Sequence, residues 1–253
     1  MKTSIKISKP LLIPFSIKNE KFFSNYSIKE IRKRVLEGEI IILKNVFPEN
    51  QMNDLKNMVI SWGNETKLFP HGESPGKYPL LNYHRIDDGS VPSVCPHIFH
   101  QYGFNSIDEL ETNYRFALLE VANVLLEIQN LVAETNFRIY EKDLRLKILQ
   151  YPEGGGFLDQ HTHPLEPQKI GLILSLSKYK LDFEIGSAAF MSPNGYVATS
   201  EFHDIGDIII FRYDIPHEVT PVNPGKKNID WNIPTGKWSV VLELRETHGL
   251  SHK

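Results

Sequence analysis

LRLKILQYPEGGGFLDQHTHP, residues 144–164, is the stretch whose reading decides the fold. Leu144–Tyr151 has the length and composition of a buried strand, and Pro152-Glu153-Gly154-Gly155-Gly156 is turn chemistry. The chain then resumes extended and arrives at His161-Thr162-His163. On an extended segment residues i and i+2 share a face, so both imidazoles can converge on one point. By the same rule Arg145 and Lys147 share a side of their strand, lining a polar pocket or facing solvent. Beyond this stretch Ile170–Leu176, Ala188–Met191, Asp207–Arg212 and Trp238–Leu244 are further short apolar runs separated by Gly/Pro turns. Such spacing predicts an antiparallel sandwich or barrel over residues 144–247.

The preceding part reads differently. Ser27 with Glu30 forms a capping box opening a helix that Gly38 stops near Glu37. Glu39–Lys44 is a short buried-type strand, and Pro48-Glu49-Asn50 opens a second helix with Met52, Leu55, Met58 and Val59 at helical spacing. Residues 108–134 form a long helix striped by Leu110, Tyr114, Ala117, Leu118, Val121, Val124, Leu125, Ile128 and Leu131. Residues 64–105, rich in Gly, Pro, Asn and His, read as a long loop and a candidate lid. Residues 1–26 read as a solvated arm. Helices first and strands after predict an α+β chain, one domain of 253 residues with helices packed on one face of a β-core.

Composition sets limits. The net charge is −3, hydrophobic residues make up 41%, and there are 10 His against 1 Cys. One thiol, Cys95, excludes an internal disulfide framework and a cysteine-based zinc finger, so a metal here takes His or carboxylate ligands. Residues 1–34 carry nine Lys/Arg and two Glu, without the aromatic interleaving of a nucleic-acid groove. The apolar run Leu11–Phe15 is too short and proline-broken for an export signal. No apolar stretch approaches the length of a membrane span. These features set the expectations of a cytoplasmic location and of neither nucleic acid nor membrane as partner; the oligomeric state stays open.

His217 follows the strand Asp207–Arg212. A His-x-His pair with a distant third His suits a facial metal site that leaves positions for other ligands. Spacing alone leaves this reading level with three unrelated, hydrogen-bonded histidines.

The ordered set of motifs resembles the double-stranded β-helix (jelly-roll) dioxygenases dependent on Fe(II) and 2-oxoglutarate. Leu149–Phe157 is similar to the strand and glycine turn before their metal motif, and His161-Thr162-His163 falls where they have His-x-Asp. Ile205-Gly206-Asp207-Ile208-Ile209-Ile210-Phe211 resembles the strand before the distal His, and His217-Glu218-Val219-Thr220-Pro221-Val222 resembles their H-x-V-x-PV. Gly236-Lys237-Trp238-Ser239 sits where the prolyl 4-hydroxylase branch has a Lys-Trp. Gly38 with Ile40–Val46 resembles an opening strand of many such enzymes. The resemblance implies a jelly-roll core, an Fe(II) centre on His161, His163 and His217, and hydroxylation or a related oxidation of a small-molecule substrate, an amino acid or a biosynthetic intermediate, coupled to decarboxylation of 2-oxoglutarate. It implies Lys237, Ser239 and Tyr151 as cosubstrate-binding residues. A fixed cation at Lys237 suits the far carboxylate; Arg245 is the rival anchor.

Position 163 departs from the pattern, and three readings follow. His163 is the third ligand, which leaves the ion one unit more positive. Or His163 points away, as in the halogenases, where a small residue makes room for chloride; an imidazole fills that space. Or Asp159 or Glu218 supplies the carboxylate. The first is preferred. Asp214 and Glu218 flank His217 as candidate supporting partners. His84, Arg85 and Arg145 are candidate substrate contacts. The alternatives to a 2-oxoglutarate enzyme are a three-His iron dioxygenase that does not use it, and a non-catalytic jelly-roll protein binding a metal or small anion.

Overall fold

A computed structural model describes residues 6–18, 21–73, 81–90, 93–139, 144–225 and 228–244. Two sheets face each other. The larger is built on β6 (Leu144–Tyr151), β13 (Lys237–Leu244), β8 (Ile170–Ser175) and β11 (Ile208–Arg212), paired antiparallel in that order. The smaller holds β7 (Phe157–His161), β12 (His217–Val219), β9 (Ala188–Ser192) and β10 (Gly195–Ala198). This is the double-stranded β-helix, or jelly roll, with helices on one face.

Alternation along each strand explains the layering. Leu144, Leu146 and Ile148 face outward, as do Leu172, Leu174, Ile208, Ile210, Val240 and Leu242. They form one core with Ile31 and Val35 of α1 (Ile28–Leu36), Leu55 and Val59 of α2 (Glu49–Glu65), and Val121, Leu125 and Ile128 of α3 (Thr112–Ala133). α1 starts as its sequence demands: Ser27 Oγ accepts from the Glu30 amide at 3.2 Å, and Glu30 Oε2 accepts from the Ser27 amide at 2.8 Å. α3 is long and apolar enough to cross a bilayer by composition, but Leu118, Val121, Leu125 and Val132 are buried in this core.

The inner faces do not fuse into one core. Ile40, Ile42, Ile209 and Phe211 meet Ala188, Phe190 and Val197 on one side. Phe99, Leu149, Tyr151, Val219 and Val222 meet on the other. Between them run β13 and β8, whose inward positions are Lys237, Ser239, Val241, Glu243, Ile173 and Ser175. Central strands of a filled sandwich would be sealed, yet Lys147, Ile173, Val241 and Glu243 are only half-buried. These inward residues of β13 and β8 lie between the two inner clusters.

Two sequence expectations are corrected. The arm is not a solvated leader: β1 (Leu11–Lys18) pairs in parallel with β3 (Ile41–Lys44), which itself pairs with β11, and β2 (Lys21–Ser24) closes the edge. Ile13 and Phe15 are buried there, and that apolar gain outweighs the two prolines. The expected loop 64–105 contains β4 (Tyr83–Asp87) and β5 (His97–Phe104), antiparallel to each other, with β5 joined to β6. The β-forming Ile98, Phe99, Tyr102 and Phe104 outweigh the Gly/Pro content around them. Part of the expected lid, residues 74–80 and 91–92, and Arg245 lie outside the described residues.

Candidate metal centre

His161 ends β7 and His217 begins β12, and the two stand directly opposite in the ladder. His163 follows two residues past the strand end. One nitrogen from each of the three lies within 4.8 Å of the others. Three imidazoles bound to one ion at about 2.1 Å would hold their nitrogens roughly 3–3.5 Å apart, so a small closure completes the set.

The backbone fixes which nitrogens face the gap. His161 Nδ1 lies 2.9 Å from the Asp159 carbonyl, and His217 Nδ1 lies 2.9 Å from the Ile215 carbonyl. A carbonyl only accepts, so each Nδ1 carries the proton and each Nε2 presents a lone pair. Burial holds the His217 imidazole well below its usual pKa, and the neighbouring His161 and His163 add to this. A neutral ring is the form a metal needs. The Phe211 ring lies 4.7 Å from His217, and Tyr213 stacks on His163 at 4.3 Å, fixing both orientations.

Deeper in the gap, Lys237 is 1% exposed, its Nζ 5.0 Å from the centre of the Phe183 ring. Neither Lys237 Nζ nor Ser239 Oγ has a hydrogen-bond partner, and burial lowers the lysine to about 8. Tyr151 stands opposite Lys237 on β6, buried against Phe99. An unpaired buried ammonium beside an unpaired buried hydroxyl is costly unless something anionic comes to it. These residues therefore fit a carboxylate-bearing cosubstrate.

The other sequence candidates are distributed differently. His84 lies on the outer, helix-facing side of β4 and is buried. Its Nε2–H donates to the Thr66 carbonyl at 3.2 Å, so Nδ1 accepts from His100 Nε2–H at 2.9 Å. His100 Nδ1 then accepts from the Tyr102 hydroxyl at 3.2 Å. This is a core relay on the far side of the sheet from the cavity. Arg85 is on the inner face but three strands from β13, about 14 Å across the sheet, and is paired with Asp87 at 2.8 Å. Arg145 faces inward, opposite Glu243, and its Nη1 donates to the Asn105 carbonyl.

The flanking carboxylates do not join the cluster. Asp214 accepts from Arg212 Nε at 2.6 Å, Glu218 from the Tyr196 hydroxyl at 3.4 Å, and Asp159 from the Gln160 amide at 2.8 Å. Among the described residues the ligand-like group is the three histidines. Sequence reasoning missed Tyr213 and Glu243. Tyr213 had a signal, two residues beyond Phe211 on the inward parity; Glu243 had the same signal relative to Val241.

The fold is that of the double-stranded β-helix, or jelly roll. No family model and no curated protein matches the sequence. Solved structures do match. A Pseudomonas putida prolyl-4-hydroxylase aligns at a TM-score of 0.55 and 14% identity, over 85% of this chain and 97% of that one. The non-heme alpha ketoglutarate dependent epimerase SnoN from nogalamycin biosynthesis aligns at 0.51 and 10%, over 85% and 82%. A full-length Neurospora crassa protein in complex with alpha-KG aligns at 0.50 and 12%, over 86% and 78%. At such identities the likeness establishes the shared fold.

Proposed function

We propose that this protein is an Fe(II)- and 2-oxoglutarate-dependent oxygenase acting on a small molecule. The observation that carries the reading is the pairing of two features on the facing sheets of one jelly roll: three converging imidazoles, and a buried, unpartnered ammonium and hydroxyl. His161, His163 and His217 hold the iron. Lys237 and Ser239 take the far carboxylate of 2-oxoglutarate, and Tyr151 closes the wall beside them. Together iron and cosubstrate supply oxidative decarboxylation coupled to substrate oxidation.

The protein's own contribution is placement. Carbonyls of Asp159 and Ile215 hold the protons on Nδ1 and so make Nε2 the lone-pair nitrogen. Phe183, Tyr151 and Phe99 exclude water from the ammonium, which strengthens its attraction for an anion. The Phe211 and Tyr213 rings keep two imidazoles from rotating away. The cavity between the sheets suits a small substrate, and a reducing, cytoplasmic setting suits the lone thiol of Cys95. The test is succinate formation from 2-oxoglutarate by anaerobically Fe(II)-loaded protein exposed to oxygen. Absence of both succinate and 2-oxoglutarate binding would refute the reading.

A further inference from the structure

The three-His set leaves a divalent ion without a charged ligand, and the cavity wall carries a carboxylate placed to answer that. Leu242 and Leu244 face the helices, so Glu243 faces inward. Val241 pairs with Ile173; continuing that register, Glu243 stands level with Gly171. Gly171 pairs with Phe211, whose ring lies over the glycine and 4.7 Å from His217. Glu243 is thus on the row that leads to the histidines, six residues along β13 from Lys237. It bonds to Lys147, its neighbour but one in register, and each side chain is 17% exposed in the centre of the sheet. Asp159, Asp214 and Glu218, nearer in sequence, are spent on other partners.

We propose that Glu243 supplies the metal centre with the negative charge that its three imidazoles lack, and that Lys147 holds this carboxylate on the cavity wall. It is a positioning residue: it acts on the ion through space or a bridging water, outside the three-His set. A divalent cation bound at the histidines is attracted by Glu243 and repelled by Lys147, so the pair sets the affinity of the site. The inference rests on the metal reading above.

Cobalt(II) binding by calorimetry, without cosubstrate, tests it free of turnover. Glu243→Gln is expected to weaken binding about tenfold, the loss typical of a supporting group beyond the ligands. Glu243→Asp is expected to recover part of the loss, which a packing role would not give. The doubly changed Lys147→Met/Glu243→Gln protein leaves no unpaired charge, so it guards against misfolding; with the lysine's repulsion also gone it should bind more tightly than Glu243→Gln and more weakly than the wild type. Wild-type affinity in both Gln-bearing variants would overturn the proposal. No cobalt binding by the wild type would instead overturn the metal reading.

Discussion

Lys237 gives the sharpest test, because burial ties its cosubstrate role to stability. The ammonium is 1% exposed and burial lowers it from 10.5 to about 8. In the free protein it is largely protonated at pH 7 and largely neutral at pH 9. A dianionic ligand binds the protonated form, so its apparent dissociation constant should rise about tenfold between those values, one decade per pH unit past the pKa. Lys237→Arg, with a guanidinium that does not titrate in this range, should remove that slope while any other titration survives in both proteins. The stability sign is opposite to that of a salt-bridged lysine. The folded pKa lies below the unfolded one, so stability is greatest above pH 10.5, falls as the pH drops to about 8, and is constant below. The cost at neutral pH is roughly 3 kcal/mol, from 1.36 kcal/mol per pKa unit. Lys237→Met, of similar length and uncharged, should therefore raise the midpoint of thermal unfolding by several degrees while abolishing 2-oxoglutarate binding. Calorimetry on manganese-loaded protein and scanning calorimetry at pH 7 measure the two. A wild-type affinity independent of pH, or a Lys237→Met protein that is less stable and still binds, would refute the reasoning.

His163→Ala should cost at least about tenfold in metal affinity and His163→Asp should restore it, as seen in anaerobic cobalt titrations; unchanged affinity in the alanine variant would remove His163 from the ligand set. His100, lowered to about 3 chiefly by burial, is neutral in the fold but charged in the unfolded chain below pH 6.5. Its contribution is full above pH 6.5 and is lost as the pH falls, by about 2 kcal/mol at pH 5. Urea unfolding at pH 7 and pH 5 should show this fall in the wild type and a smaller one in His100→Gln. Gly171→Ala places a methyl 2.3 Å from the Phe211 ring; the displaced ring should cost about 1–3 kcal/mol and weaken cobalt binding by releasing His217.

What the sequence revealed follows from how local each signal is. The His161/His163 pairing needs only the two-residue period of an extended chain, and Ser27 with Glu30 closes its capping box within one turn. Lys237 was legible only through its motif; that it is buried and unpaired depends on Phe183, over fifty residues away. The parallel seat of Leu11–Ile13 beside Ile41–Leu43 has no local signature, because a parallel partner is specified by tertiary contact. Residues His97–Phe104 carried a strand pattern masked by the glycines and prolines on either side. His84 failed for a similar reason: whether an edge-strand residue faces the cavity or the helices depends on the register of Ile86 with His100, which residue types do not encode.

The split inner core links these findings. Filling the gap between the Phe190 and Phe99 clusters with apolar side chains would make one continuous sandwich core and a more stable protein. Instead β13 places Lys237, Ser239 and Glu243 there, and the adjoining β6 adds Lys147. Of these, Glu243 is held by Lys147, while Lys237 Nζ and Ser239 Oγ have no hydrogen-bond partner. The ammonium thus lacks an anion beside it, and the three imidazoles bring no charged ligand to their ion. A dianion with one carboxylate at each end meets both needs, whereas a neutral or singly charged ligand of the same length meets only one. Succinate has that same end-to-end pattern but lacks the keto oxygen that 2-oxoglutarate offers a metal. Succinate should therefore compete with 2-oxoglutarate in the presence of cobalt. Its affinity should depend on Lys237 as strongly as that of 2-oxoglutarate, but less on the bound metal. Equal loss of both ligands on removing cobalt would show that the ammonium and the imidazoles do not read opposite ends of one molecule.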